Sequence, residues 1–368
     1  MIKRPPNILS YLVLIILIFN SCSKNNSGNQ VEVIPIDQNE KLSIIVLLGD
    51  GMGISQITAA WYANSSLNLQ RYPHTGLVLT HTANKLVTES GSSNTSMMTG
   101  VKTNYGFIGI NPNEDHLETL YEYLRKQGYY TGIISTSFMT DATMAALFSH
   151  RKNRHDYEDI AYDYYHEYPD FGVAGGQKHF DAREDHLNLL DSLQNKGVHI
   201  FHSLIEMNKV ISLPAMGMMY ESLPPYLLDG RDDFLFQSSK KALNLFANKE
   251  FFLFIEGAQI DKSGHDMNIE NQVAETLEFD RVSGLALDYA QSHKNVLVVV
   301  LSDHECGGLS LMQGDGFSYI PNFAANEHSG EMVPIFAFGP GAENFSGIMD
   351  NTDIYEILKH QIDSHLNN

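Results

Sequence analysis

Carboxylates and imidazoles stand directly after apolar runs at several points of this chain. Phe251–Ile255 is followed by Glu256, Asp261 and His265, and Val296–Leu301 by Asp303 and His304. A charge taken out of water must be paired or bound to a metal. Asp261 and His265 are four apart, so a helical turn places them on one face, able to grip one ion. The same two residues also read as a capping Asp and a surface His. A third apolar run, Leu42–Leu48, enters Gly49-Asp50-Gly51-Met52-Gly53, where the glycines let the backbone turn sharply and leave Asp50 at the strand tip. Asp141 and Thr143 offer two hard oxygens at close spacing, as a magnesium site requires. Arg154, four residues after His150, carries a planar fork suited to a bidentate grip on phosphate, or stands as a surface charge. Ser90 opens a stretch of small polar residues near a helix start. Free N–H groups and the helix dipole there favour an anion, though Ser is also a common N-cap.

The elements that must position these residues alternate strand and helix. Strands are expected at Leu42–Leu48, Gly76–Thr82, Tyr130–Ser135, Phe251–Ile255, Val296–Leu301 and Val333–Phe338. Helices are expected over Ile54–Tyr62, His116–Gly128, Gln272–Ala290 and Asp353–His365. Polar clusters just after strand ends argue an α/β fold with a large, mainly parallel central sheet and helices on both faces. Residues 176–249 carry few motifs and read as a small cap or insertion, with helices over 181–196 and 238–249 and irregular chain over 213–225. Residues 309–327 read as a loop. One domain is expected over 42–368.

The formal net charge of −20 and the lack of a basic stripe argue against nucleic acid as a partner. An acidic protein that handles an anionic substrate then needs a local source of positive charge. Residues 1–22, MIKRPPNILSYLVLIILIFNSC, have basic Lys3 and Arg4 and an apolar core that suits a signal peptide and is short for a transmembrane helix. The end resembles a bacterial lipoprotein signal with Cys22 as the lipidated N-terminus. Phe19 and Asn20 depart from the commonest box, so a plain secretory signal and a soluble periplasmic or secreted protein is the alternative. Residues 23–41 read as a flexible tether. The expectation is an exported lipoprotein, periplasmic or at the cell surface, anchored to the membrane. Only Cys22 and Cys306 are cysteines, and a lipidated Cys22 leaves no intramolecular disulfide.

Seven motifs in order resemble the alkaline phosphatase family: GDGMG with Asp50, VTESGSSNTSMMTG with Ser90, STSFMTDATMAA with Asp141 and Thr143, His150/Arg154, IEGAQIDKSGH with Glu256, Asp261 and His265, LSDH with Asp303 and His304, and EHSG with His328. They cover roughly residues 42–357. The resemblance implies a phosphate monoesterase working through a phosphoserine at Ser90, with Arg154 gripping the phosphoryl group. It implies two zinc ions, one on Asp261, His265 and His328 and one on Asp50, Asp303 and His304. It implies one magnesium on Asp50, Asp141, Thr143 and Glu256. Imidazole and carboxylate suit zinc and an all-oxygen set suits magnesium. Five ligand carboxylates against three divalent ions, Arg154 and Lys262 leave the occupied site at about +3, which supplies the missing positive charge. A homodimer is the assembly the resemblance suggests. A phosphodiesterase of the same superfamily is the alternative activity, but such enzymes lack the magnesium ligands.

This chain departs from the family's pattern in three places. Glu89 stands where Asp is usual, and its extra methylene is expected to shift the contact to Arg154. Gly91-Ser92-Ser93-Asn94 replaces a mostly alanine run and suggests a looser helix start. Cys306 stands near the second zinc where some relatives carry His, either tuning the ion or serving as a small buried residue. Lys262 matches bacterial relatives in which it contacts phosphate, or is a solvated Lys.

Overall fold

Three neighbouring strands show why the sheet forms. In Ser43–Gly49 (β1), Ile44, Val46 and Leu48 face one core and Ile45 and Leu47 the other. Phe251–Gly257 and Val296–Leu301 divide the same way, with Phe252, Phe254, Leu297, Val299 and Leu301 on the first face and Phe251, Leu253, Ile255, Val296, Val298 and Val300 on the second. Side chains alternate across a strand, so an apolar run without alternation must be covered on both sides. This computed structural model describes residues 42–366. The expected signal peptide, lipidated Cys22 and tether lie outside the described residues.

In chain order the remaining strands are His74–Leu79 (β2), Tyr130–Phe138 (β3), Phe171–Gly175 (β4), His199–Phe201 (β5) and Ala215–Tyr220 (β6). Phe251–Gly257 is β7 and Val296–Leu301 is β8. Glu305–Cys306 (β9), Leu309–Gln313 (β10), Tyr319–Phe323 (β11), His328–Ser329 (β12), Val333–Phe338 (β13) and Gly347–Asp350 (β14) complete the set. Ten of them make one sheet in the order β14-β2-β13-β8-β1-β7-β3-β4-β6-β5. Only β13 runs against its neighbours there, pairing antiparallel with both β2 and β8. The mainly parallel sheet is as expected.

Register places the chemistry. Leu48 of β1 lies opposite Glu256 of β7 on one side and Leu301 of β8 on the other. Asp50 and Asp303, two residues beyond those partners, therefore emerge beside Glu256 at the carboxyl edge. Ser135 of β3 is in register with Glu256 from the far side.

Residues 176–249 are not a cap. They supply β5 and β6, which extend the main sheet through parallel pairing with β4, and the helix Phe234–Leu245. Strand β6 falls inside the stretch expected to be irregular. The helix expected over 181–196 is two short ones, Lys178–Asp181 and Leu189–Asn195. That expected from His116 begins at Leu120, because Thr119 caps it in a capping box with Glu122. The loop expected after Cys306 contains an antiparallel hairpin, β10 with β11. The long helix after the Asp261 segment runs Ile269–Ser292.

Candidate active site

Asp50 sits just past β1 and is almost fully buried. The turn that puts it there needs Gly51, whose φ is +72° and whose added Cβ would lie 2.8 Å from the Asp261 Cα. Gly51 N–H donates to Asp303 Oδ1 at 3.2 Å, which locks two strand ends together. Ser90 is the first residue of the helix Ser90–Thr99, and its hydroxyl donates to Asp50 Oδ2 at 3.3 Å. His304 Nε2 is 3.4 Å from the same Oγ. The polar run expected to loosen this helix start ties it down instead. Ser93 Oγ donates to the Asp303 carbonyl at 2.9 Å, and Asn94 Nδ2 to the Thr143 carbonyl at 2.6 Å. The whole helix is buried, so each of those polar groups needs a partner.

Glu89 is the N-cap of that helix. Its carboxylate accepts from Gly91 N at 2.8 Å and Ser92 N at 2.7 Å, from Gly106 N at 3.0 Å, and from the guanidinium of Arg154. The longer side chain thus reaches Arg154 directly. Burial pushes the Glu89 carboxyl up, but Arg154 and the bonds from Ser92 and Gly106 outweigh it and hold the group below its usual range. Arg154 also has Nη2 3.5 Å from Asp141 Oδ1. His150 turns away: Nε2 meets Glu122 at 3.0 Å, Nδ1 the Gly109 carbonyl at 2.6 Å, and the ring stacks on His116.

On the β3 side, Asp141 caps the helix Ala142–Phe148 and accepts from the Ser137 hydroxyl. Ser135 donates to Glu256. Burial and the Asp141 carboxylate push Glu256 to about 8 against the hydroxyls of Ser135 and Thr143. Lys262 Nζ stands 3.9 Å from a carboxylate oxygen of Asp141 and of Asp261 alike. Ser135 and Ser137 were not singled out from the sequence. Their signal was there: two hydroxyls at strand period beside a strand end share one face.

Asp261 and His265 lie four apart on the helix Gln259–His265, as expected. His328 joins them from β12, with Nε2 3.3 Å from Asp261 Oδ1. His265 Nδ1 contacts the Asn326 carbonyl at 2.7 Å and His328 Nδ1 the Thr88 carbonyl at 3.0 Å. A carbonyl only accepts, so each Nδ1 carries a proton and each neutral ring presents its Nε2 lone pair to the cleft. Those two Nε2 atoms are 3.1 Å apart. Two lone pairs and a carboxylate converging on one point are a cation's donor set, and backbone acceptors behind ligating imidazoles are the usual way of fixing them. With no cation bound, the Asp261 carboxylate beside Nε2 favours a proton there and raises His265 to about 9, and a bound cation would take that proton's place.

The neighbouring cluster holds Asp50, Asp303 and His304. His304 Nε2 is 3.2 Å from Asp303 Oδ2 and 3.4 Å from Asp50 Oδ1. Asp50 Oδ1, Asp261 Oδ1 and His304 Nδ1 are buried without a hydrogen bond among the described residues. Burial and the charge on Asp303 push Asp50 well up, and burial and Asp261 push Asp303 to about 6. Buried carboxylates this crowded are costly without a counter-charge, so the residues fit divalent cations. Donor atoms of Asp50, Asp261 and His304 lie within 4.8 Å of one another, and so do those of Asp261, His265, Cys306 and His328. All twelve residues expected at the site meet at this edge. Cys306 differs from expectation, lying with the ligands of the first ion and not the second.

A family model described as alkaline phosphatase matches residues 41–326. The chain belongs to the alkaline phosphatase family. Alkaline phosphatase 3 of Bacillus subtilis is 26% identical over 96% of this chain and 96% of its own. The structure of the alkaline phosphatase from the Antarctic bacterium TAB5 superposes with a TM-score of 0.85 at 30% identity, covering 88% of this chain and 99% of that one. A histidine-to-aspartate variant of the TAB5 enzyme, solved with Mg bound in its M3 site, gives a TM-score of 0.83 at 30% identity with the same coverage. As an alkaline phosphatase by family, the chain is a phosphoric monoester hydrolase of a metal-dependent class, and its edge cleft is where the metal-type donors gather.

Proposed function

We propose that this cleft hydrolyses phosphate monoesters through a covalent phosphoserine at Ser90. The observation that carries the reading is the setting of Ser90 Oγ: buried at a helix N-terminus, 3.3 Å from Asp50 and 3.4 Å from His304, with the Glu89–Arg154 pair adjoining it in sequence and space. Asp261, His265 and His328 would hold one zinc, Asp50, Asp303 and His304 a second, and Asp50, Asp141, Thr143 and Glu256 a magnesium. Bound there, the ions supply Lewis acidity that lowers the pKa of a nearby hydroxyl and offsets developing oxyanion charge.

The chain's own residues do the rest. Asp50 Oδ2 orients the Ser90 hydroxyl. Ser90 Oγ attacks phosphorus in line, the Oγ–P bond forms as the ester P–O bond breaks, and the proton lost from Oγ ends on the leaving oxygen, which departs as the alcohol. The Arg154 fork takes two non-bridging oxygens, held in aim by Glu89. Water then attacks the phosphoserine from the vacated side, the Oγ–P bond breaks, and a proton from that water goes to Oγ while the remaining hydroxyl leaves on the phosphate. Lys262, between Asp141 and Asp261, adds positive charge at the phosphate side of the cleft. Asp141 and Glu256 would both serve the magnesium, and the presence of both supports the monoesterase reading over the diesterase one. We also propose export, with lipid on Cys22 as the membrane anchor, on the sequence of residues 1–22.

Intact-mass spectrometry after brief exposure to 4-nitrophenyl phosphate tests the nucleophile. The native chain should gain one phosphoryl group and Ser90→Ala none. An undiminished adduct in Ser90→Ala overturns the assignment. Rates on 4-nitrophenyl phosphate, its bis-ester and its sulfate should favour the monoester.

A further inference from the structure

The strand pair β9–β12 is two residues long on each side, and it places His328 directly opposite Cys306. Residues directly opposed in an antiparallel pair carry their side chains on the same face, with Cβ atoms ~4.5–5.5 Å apart. His328 points its Nε2 at Asp261, so Cys306 points its thiol into the same space. Across from this pair, the helix Gln259–His265 contributes Asp261 and His265 on one face. Two residues from a helix turn and two from a cross-strand rung thus enclose one point, their donor atoms all within 4.8 Å of one another. Close approach of the two elements is built in. An added Cβ at Gly264 or at Gly51 would lie 3.0 Å from the Cys306 Cβ.

Two further observations point to a ligand in that space. The Nε2 atoms of His265 and His328 are 3.1 Å apart, with both Nδ1 atoms committed to backbone carbonyls. Asp261 Oδ1 is buried and makes no hydrogen bond among the described residues, although His328 Nε2 is 3.3 Å away.

We infer that Cys306 is a ligand of the ion held by Asp261, His265 and His328, which makes that position an Asp–His–Cys–His site. The inference rests on the metal-centre reading proposed above and adds a sulfur donor to it. On metal binding the Sγ–H bond breaks, an Sγ–metal bond forms, and the proton passes to solvent. A soft thiolate selects zinc over magnesium and manganese. Four protein donors also fill a tetrahedral zinc, so an incoming substrate oxygen must bind by expansion to five-coordination or by displacing the sulfur.

X-ray absorption of the full-length, zinc-loaded protein tests this. The native chain should show a Zn–S shell at ~2.3 Å besides the nitrogen and oxygen shell. Cys306→Ser should lose the sulfur shell. A cobalt-substituted native protein should show a near-ultraviolet thiolate charge-transfer band, absent in Cys306→Ser, and zinc should slow alkylation of Cys306 by iodoacetamide. Bound zinc with only nitrogen and oxygen neighbours overturns the inference, as does a sulfur shell that survives in Cys306→Ser. A sulfur-free zinc protein that still forms the Ser90 adduct removes the inference and leaves the proposed function standing. A protein that takes up no zinc and forms no adduct overturns both.

Discussion

Replacing Glu89 with glutamine separates the two tasks this side chain performs. Four N–H groups converge on its two oxygens: Ser92 N and Gly106 N on Oε1, Gly91 N and Arg154 Nη1 on Oε2. Glutamine keeps the shape but has one acceptor oxygen and one NH2 group. Whichever way its amide is turned, the NH2 faces two donors. Hydrogen bonds to a charged group contribute ~1.5–3 kcal/mol each, and breaking a buried ion pair by removing one charge costs ~3–5 kcal/mol. Glu89 has only 2% of its side chain exposed, so solvent does little to soften that loss. Glu89→Gln should therefore cost about 3–5 kcal/mol, within the ~5–15 kcal/mol that keeps a typical protein folded. Freed from Glu89, the guanidinium has Asp141 3.5 Å away as its remaining partner and should swing toward it, off the phosphate. A loss of ~1.4–2.8 kcal/mol in transition-state binding lowers kcat/KM ten- to a hundredfold.

The measurements are urea denaturation of the metal-loaded protein, KM and kcat on 4-nitrophenyl phosphate, and inhibition by inorganic phosphate. Glu89→Asp is the companion variant. It keeps the charge and a competent N-cap but is one methylene shorter, so it should preserve more stability than phosphate affinity. If Glu89→Gln stays within ~0.5 kcal/mol of the native chain with kcat and KM unchanged, Glu89 neither caps the helix nor aims Arg154 as argued.

Metal removal should make stability fall as pH rises. Folded Glu256 titrates at about 8 and Asp303 at about 6, both above their ordinary values, so the stability they contribute is complete below pH ~4 and is lost as pH rises through 6 and 8. His265, raised to about 9, acts in the same direction. Buried His304 and His179, both lowered, act the other way below pH ~6.5, so the melting temperature of chelator-treated protein should drop between pH ~6.5 and 8.5 while the metal-loaded protein holds; a flat or rising metal-free profile there would refute this. Gly51→Ala places a Cβ 2.8 Å from the Asp261 backbone at φ +72°, and should cost at least ~2 kcal/mol and weaken zinc uptake, read by denaturation and metal titration.

The parts of the site that could be read in the sequence are those where a local rule acts alone. Asp50, Glu256 and Asp303 follow apolar runs, and a buried parallel strand announces its own end. Strand β6 had no such announcement. Its sequence AMGMMY lacks β-branched residues, and it is a strand through its pairing with β4 and β5, where Phe201 of β5 packs so closely over Gly217 that an added Cβ would fall 2.3 Å from that ring. The place of Cys306 was misread for a related reason. The resemblance set it near the second zinc, beside His304, where some relatives carry His. Its actual position comes from the rung with His328, 22 residues later, and a ladder two residues long leaves no period to detect. Glu89 could be seen as a departure, but the reach of its carboxylate to Gly106 and Arg154 depends on loops that only the fold brings together.

Glu89 also changes the electrostatics of the cleft. The chain carries a net charge of −20 and takes an anionic substrate. Counted with Glu89, the site has six carboxylates against Arg154 and Lys262, and the three divalent ions proposed above would leave it at about +2 in place of the about +3 expected without Glu89. Arg154 is already matched by Glu89, and Lys262 stands equally near Asp141 and Asp261. The attraction a phosphate meets on entry therefore rests chiefly on the ions and on the N-terminus of the helix Ser90–Thr99, whose first N–H groups are partly taken by the Glu89 carboxylate. Arg154 contributes geometry more than field strength. It follows that losing the ions abolishes phosphate capture outright, whereas losing either cationic side chain weakens a capture the ions still drive.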